Sequence, residues 1–80
     1  MISGVNLRYI DHFEMDLVNN YYCIHLHYSD ATNDDFGSIL IYRSKNFGEA
    51  VNKYDQLKYT LYKFKSKKGG LNANYIVIYL

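Results

Sequence analysis

The chain has 80 residues, a formal net charge of +1, and a composition that is 49% hydrophobic, 18% aromatic and 21% charged. A chain of this length builds one hydrophobic core, since it buries only about 60% of its unfolded surface on folding. The hydrophobic content excludes a disordered chain, and no apolar run approaches the roughly 20 residues of a transmembrane helix. We therefore expect one folded domain over residues 1–80 that does not associate with membranes.

The cysteine content and the N-terminus predict a cytoplasmic protein. Cys23 is the one cysteine in the sequence, which excludes an internal disulfide and is typical of a reducing compartment. Ser3, Gly4 and Asn6 lie where a signal peptide would carry its apolar stretch.

The first predicted element is a β-hairpin, because apolar residues alternate with polar ones over Asp11–Leu17 and Tyr22–Tyr28. Asn19 and Asn20 lie between the two segments, and asparagine tolerates the positive φ of a two-residue turn. This turn pairs Val18 with Tyr21 and opposes apolar residues on one face: Phe13 with Leu26, Met15 with Ile24, and Leu17 with Tyr22.

A third strand is predicted over Ser38–Arg43, after a polar and acidic loop over Ser29–Gly37. A long helix follows, with Asn46 as its N-cap and Glu49 completing a capping box. Gly69 and Gly70 are expected to end it. Its apolar stripe, at spacings of three and four residues, consists of Phe47, Ala50, Val51, Tyr54, Leu57 and Leu61.

The last predicted element is the strand Tyr75–Leu80, which is apolar on both faces. We place it inside the sheet or at a subunit contact, because an exposed edge strand of this kind invites aggregation; homodimerisation is therefore an alternative. After the helix crossover it should run parallel to the first hairpin strand and beside it. The predicted fold is α+β with topology βββαβ: a four-stranded, mostly antiparallel sheet with one long helix packed on one face.

The hairpin register also aligns the polar face of the sheet, where Asp16 lies across from Cys23, Glu14 from His25, and His12 from His27. Opposed Cβ atoms are roughly 4.5–5.5 Å apart, which is close enough for a metal site. We predict that the protein binds no metal and no cofactor. If a metal did bind, His12, His25 and His27 would be the candidate ligands. A pH-sensitive binding face is a further hypothesis. The alternative to all of these is the ordinary polar, solvent-facing side of an antiparallel sheet.

The C-terminal part of the predicted helix combines lysines with tyrosines. Lysines neutralise phosphates while an exposed tyrosine stacks on a base, so this segment is a candidate nucleic-acid surface. At 100° per residue Tyr59 and Lys63 point outward. The candidate residues are Tyr59, Lys63, Lys67 and Lys68. A basic helix end that meets only solvent, or an acidic protein surface as the ligand, remain alternatives.

The loop after the hairpin supplies an acidic candidate surface through Asp30, Asp34 and Asp35. Its spacing does not fit an EF-hand and lacks the closing glutamate, so calcium binding is not expected. The two candidate surfaces reflect an uneven charge distribution: residues 1–42 contain six acidic residues and one basic residue, and residues 43–80 contain eight basic and two acidic. This asymmetry suggests two oppositely charged surfaces.

The sequence contains no nucleophile elbow, HExxH, CxxC or phosphate-binding glycine pattern, and we predict that the protein is not an enzyme. Ten tyrosines against four phenylalanines and no tryptophan favour contact surfaces, since tyrosine provides large contact area with few rotamers to lose. We expect an interaction protein that binds and blocks a partner's surface. The alternative is a small nucleic-acid-binding module that uses the basic end of the helix.

In its organisation the whole chain resembles the small orphan proteins of bacteriophages and other mobile elements, including anti-CRISPR proteins, many of which are compact sheet-plus-helix domains. The resemblance is architectural and assigns no role to any residue. It implies an inhibitor, acting in the cytoplasm of a bacterial host, that blocks a protein or nucleic-acid surface of a host nucleoprotein defence complex.

Overall fold

The computed structural model describes residues 2–66 and 75–79, and side chains from Val5 to Ser66. The elements are β1 (Ile2–Asn6), a 3-10 turn (Leu7–Tyr9), β2 (Ile10–Val18), β3 (Tyr21–Asp30), β4 (Asp35–Ser44), α1 (Phe47–Ser66) and β5 (Tyr75–Tyr79). The central sheet has the antiparallel order β2-β3-β4, and β1 and β5 form a separate antiparallel pair. The protein is therefore α+β, with a three-stranded antiparallel sheet and one long helix.

The predicted hairpin is confirmed, together with its register. Asn19 and Asn20 have φ angles of 51° and 67°, which a two-residue turn of this kind requires. The paired residues are Val18 with Tyr21, Leu17 with Tyr22, Asp16 with Cys23, Met15 with Ile24, Glu14 with His25, Phe13 with Leu26, and His12 with His27. One face of the hairpin therefore enters the core, where Phe13, Ile24 and Leu26 are buried.

The predicted loop over Ser29–Gly37 is wrong in extent. β3 continues to Asp30 and β4 begins at Asp35, so the turn occupies residues 31–34 only. The carboxylate of Asp30 accepts hydrogen bonds from the backbone N–H of Thr32 at 3.1 Å and the side-chain amide of Asn33 at 2.7 Å, which folds the chain back locally. Polar residues here occupy strand ends rather than a long loop.

A β-bulge lies between β3 and β4. Ile24 pairs with Tyr42 and His25 pairs with Leu40, which leaves Ile41 as an additional residue in β4. Ile41 is buried in the core and Tyr42 packs against it. Two consecutive residues of β4 therefore contribute to the same apolar cluster, which a strict alternation does not predict.

The N-terminus of α1 agrees with the sequence prediction. Asn46 Oδ1 accepts the backbone N–H of Glu49 at 3.0 Å. Glu49 does not accept the backbone N–H of Asn46 directly, as in a standard capping box. The Ser44 hydroxyl links them: it accepts the N–H of Asn46 at 3.0 Å and donates to Glu49 Oε2 at 3.2 Å. In the predicted stripe Ala50, Leu57 and Leu61 are buried, Val51 and Tyr54 are half-buried, and Phe47 is exposed. Gly69 and Gly70, the predicted helix stop, lie outside the described residues.

The predicted placement of the C-terminal strand is wrong. β5 pairs with β1 in antiparallel register, from Ile2 with Tyr79 to Asn6 with Tyr75, rather than parallel beside the first hairpin strand. The predicted four-stranded sheet is accordingly not confirmed. The physical reason is a strand at residues 2–6 that was not anticipated, followed by the 3-10 turn in which Leu7 is fully buried. No helix in the described part of the chain is long and apolar enough to cross a membrane.

Candidate protein-interaction surface

The strand β2 lies at one edge of the central sheet, and the hairpin turn determines which of its backbone groups face outward. A two-residue turn closes on a hydrogen-bonded pair, here Val18 and Tyr21. Because the pattern alternates along an antiparallel strand, the N–H and C=O groups of Leu17, Met15 and Phe13 point away from β3.

The helix covers the first part of this edge. The Tyr54 hydroxyl donates to the backbone carbonyl of Phe13 at 3.2 Å, and Lys65 Nζ donates to the carbonyl of Asp11 at 3.5 Å. The Phe13 carbonyl belongs to the outward-facing set, and Asp11 lies at an irregularity of the β2–β3 register between Ile10 and His12. Side chains of α1 thus occupy the hydrogen-bonding positions that a neighbouring strand would use, which protects this part of the edge from strand addition.

The second part of the edge, at Met15 and Leu17, is different. Within residues 2–66 and 75–79, no strand pairs with β2 on this side and no loop or side chain bonds to these two residues' outward backbone groups. We call the outward-facing N–H and C=O groups of Met15 and Leu17 the open edge. It presents two donors and two acceptors in the spacing of a β-strand.

Exposed apolar side chains adjoin the open edge. Leu17 is 62% exposed and Phe47, the first residue of α1, is 58% exposed. Tyr22 lies opposite Leu17 in the register, and its ring centroid is 5.1 Å from that of Phe47. We call Leu17, Tyr22 and Phe47 the apolar end. Its residues belong to the two apolar stripes that the sequence assigns to the core, but they lie at the tip of the hairpin, where the helix only begins.

The polar face beside the open edge is acidic along β2. Glu14 and Asp16 are both exposed there. Across the sheet, Asp16 pairs with the buried Cys23, which in turn pairs with Arg43. The Arg43 guanidinium lies 4.7 Å from the ring centroid of Tyr21, over that ring.

The histidine cluster does not form a metal site in the part of the chain that the structure describes. The rings of His12 and His27 are stacked, with centroids 4.4 Å apart and an interplanar angle of 8°. Glu14 Oε1 lies 3.0 Å from His27 Nε2, on the diagonal of the register, and not on His25 directly opposite. No group of three or more candidate ligands converges within the described residues.

The basic part of α1 places lysine ammonium groups over tyrosine rings. Lys63 Nζ lies 5.2 Å from the centroid of Tyr59, and Lys58 Nζ lies 4.6 Å from that of Tyr54. Tyr59 is 62% exposed, as predicted for an outward position, and Tyr62 is 67% exposed. Lys67 and Lys68 lie outside the described residues.

The acidic turn keeps two of its three candidate residues on the surface. Asp30 is half-buried and its carboxylate is engaged within the turn, whereas Asp34 and Asp35 are exposed. Next to them Phe36 is 74% exposed, which the sequence analysis did not single out. Phe36 pairs with Ser29 on β3, so its position on the polar face was hidden by the loop prediction.

The sequence analysis also missed Leu17 and Phe47 as surface residues. Chain topology decides whether the end of an apolar stripe is covered, and a single sequence gives no direct signal for it. Comparison with known proteins does not supply one either: no protein-family model, curated protein or solved structure matches this chain.

Proposed function

We propose that the protein works by binding a partner protein through the open edge and the apolar end. The observation that carries the proposal is the exposure of Leu17 on strand backbone that has no described neighbour, together with the exposed Phe47 packed on Tyr22, the residue opposite Leu17 in the hairpin. Contiguous exposed apolar side chains on a small domain mark interaction sites, and natural proteins normally protect an edge strand by covering or twisting it. A partner that docks here satisfies the backbone and removes the apolar side chains from water.

The proposal extends to how the protein acts. Binding without chemistry blocks whatever surface the partner presents, so the protein is a non-enzymatic inhibitor in this proposal. The architectural resemblance to anti-CRISPR proteins suggests a host nucleoprotein defence complex in the bacterial cytoplasm as the target. The support for binding comes from Leu17 and Phe47, and the support for the identity of the target comes from the resemblance alone.

The test is capture of a partner from host lysate by tagged protein, with and without nuclease. Two double variants separate the surfaces: Leu17→Ser with Phe47→Ser at the apolar end, and Tyr59→Ser with Tyr62→Ser on α1. All four wild-type side chains are more than half exposed, so neither variant should unfold the domain. We expect a stoichiometric partner that survives nuclease, is lost with the first variant and is retained by the second. If the variant with Leu17→Ser and Phe47→Ser still captures the partner, the proposal is contradicted.

A second candidate function is binding of single-stranded nucleic acid by the basic face of α1. The observation that favours it is a shallow groove between α1 and β2 in which Tyr62 lies with Lys58, Lys65 and His12. Exposed aromatic rings between lysines provide stacking and phosphate contacts. Fluorescence anisotropy with a labelled oligothymidine should then show binding that weakens steeply with salt and is lost with Tyr59→Ser and Tyr62→Ser. Binding that persists in this variant contradicts this candidate.

A further inference from the structure

The geometry points to a partner that contributes an extended basic segment, which pairs with the open edge as an additional strand next to β2. This inference rests on the proposed function and deepens it, because it names the conformation and the charge of the segment that binds. It depends on the backbone at Met15 and Leu17 and on the acidic side chains of Glu14 and Asp16.

The backbone supplies the first part of the recognition. Met15 and Leu17 each direct an N–H and a C=O outward, and pairing with a strand uses all four groups. At Asp11 and Phe13 the side chains of Lys65 and Tyr54 already bond to the carbonyls and lie where an added strand would have to pack. The added strand therefore pairs with the C-terminal half of β2, toward the hairpin tip.

The side chains of β2 supply the second part, because they alternate between the two faces of the sheet. Met15 and Leu17 lie on the face that carries Phe47, and an added strand places its apolar side chains there. Glu14 and Asp16 lie on the other face and are exposed. Opposite charges directly across from each other stabilise a strand pair, so Lys or Arg is the matching residue on that face of the partner. An alternating basic and apolar segment fits both faces.

The same acidic residues disfavour a second copy of this chain as the occupant. Self-pairing of β2 that uses Met15 opposite Met15 places Glu14 of each copy against Asp16 of the other. Pairing Met15 with Leu17 places the two Asp16 side chains against each other. Like charges directly opposite are destabilising in an antiparallel pair, so we expect the protein to be monomeric at the open edge.

The experiment uses three labelled peptides with the full chain. The first alternates as Lys-Val-Lys-Val-Lys-Val-Lys, the second has the same composition with the four lysines grouped together, and the third replaces every lysine of the first with glutamate. We expect the alternating basic peptide to bind at least about tenfold more tightly than either of the others, since only it matches both faces of the strand. Amide exchange at Met15 and Leu17 should slow when this peptide is added.

Matched charge reversals test the acidic side chains. Asp16→Lys should weaken binding of the alternating peptide about three- to tenfold, while Asp35→Lys, also exposed but at the opposite end of the sheet, should leave it unchanged. Equal affinity for the alternating and grouped peptides, or unchanged exchange at Met15 and Leu17 with millimolar alternating peptide, overturns strand addition. A concentration-dependent dimer mass that Leu17→Ser with Phe47→Ser abolishes overturns the heterologous partner in favour of a second copy.

The cellular partner separates this inference from the proposed function. If the captured protein is lost with Leu17→Ser and Phe47→Ser but is retained by Asp16→Lys, the apolar end binds a partner. The inference that this partner binds through a basic segment is then wrong. If Asp16→Lys loses the partner while Asp35→Lys keeps it, the inference is supported. If the captured protein survives the substitutions at Leu17 and Phe47, the proposed function itself fails.

Discussion

The two halves of β2 carry the same alternating pattern, but α1 covers only the first half. In the first half Phe13 is buried, and Tyr54 and Lys65 from α1 bond to the backbone carbonyls of Phe13 and Asp11. In the second half Leu17 is exposed, and the outward backbone groups have no partner among the described residues. The difference arises from the position of one helix, which starts at Phe47 near the hairpin tip and reaches Asp11 with its last turns. An apolar pattern therefore identifies a face, and tertiary placement decides which part of it becomes core.

The largest expected effect comes from truncating a leucine in each half. Leu61 is buried beneath the covered half, so Leu61→Ala should lower the free energy of unfolding by about 2–5 kcal/mol through lost transfer energy and a residual cavity. Leu17→Ala removes an exposed side chain and should change it by less than about 0.5 kcal/mol. Urea denaturation of both variants measures the contrast. Similar losses for the two leucines would show that the two halves are equally packed.

The N-cap controls the end of α1 that lies beside the open half. Asn46→Ala removes the acceptor of the Glu49 N–H and should destabilise the protein by about 1 kcal/mol. Asn52→Ala, at an exposed position within the helix, is the matched control and should be neutral or slightly stabilising because alanine is the better helix former. Thermal unfolding of the two variants in parallel checks this. Equal melting temperatures would mean that the helix start does not depend on its cap.

The covered half depends in part on the tyrosine hydroxyl that bonds to it. Tyr54→Phe keeps the ring and removes the donor to the Phe13 carbonyl, which should cost about 0.5–1.5 kcal/mol in the free energy of unfolding. Tyr59→Phe removes a hydroxyl from an exposed ring and should have no measurable effect. Chemical denaturation, with amide exchange across β2 as a second readout, measures both. If Tyr54→Phe changed neither the free energy of unfolding nor amide exchange across β2, the Tyr54 hydroxyl would not protect this edge.

The parts of the fold that are local in sequence could be predicted. The Asn19-Asn20 turn and the two alternations next to it specify one register, and Asn46 with Glu49 specifies a helix start, because each signal acts over a few residues. The pairing of β1 with β5 joins opposite ends of the described chain, and Ser3 and Gly4 have weak strand preference, so neither element indicates the other.

The candidate surfaces divide in the same way. The register predicted which polar side chains share a face, but Glu14 contacts His27 on the diagonal rather than His25 opposite it, because side-chain conformers choose among neighbours within reach. Tyr59 was correctly placed outward by helical geometry, whereas Lys63 is half-buried. Leu17 belongs to the apolar face of the hairpin and Phe47 to the apolar stripe of the helix, and only the arrangement of helix and hairpin exposes them.

The last expected effect concerns the turn that fixes the open edge. Asn20 has a φ of 67°, a region that glycine reaches without cost and that asparagine tolerates better than alanine. Asn20→Gly should therefore raise the free energy of unfolding by at most about 1 kcal/mol, because the gain in the turn is partly offset by the greater chain entropy of glycine when unfolded. Asn20→Ala should lower it by about 1 kcal/mol. Changes of opposite sign in the free energy of unfolding would confirm that Asn20 holds the left-handed conformation. That turn sets the register in which the backbone groups of Met15 and Leu17 face outward. Equal effects of the two substitutions would mean a different turn, hence a shifted register in which Leu17 no longer presents its backbone at the edge.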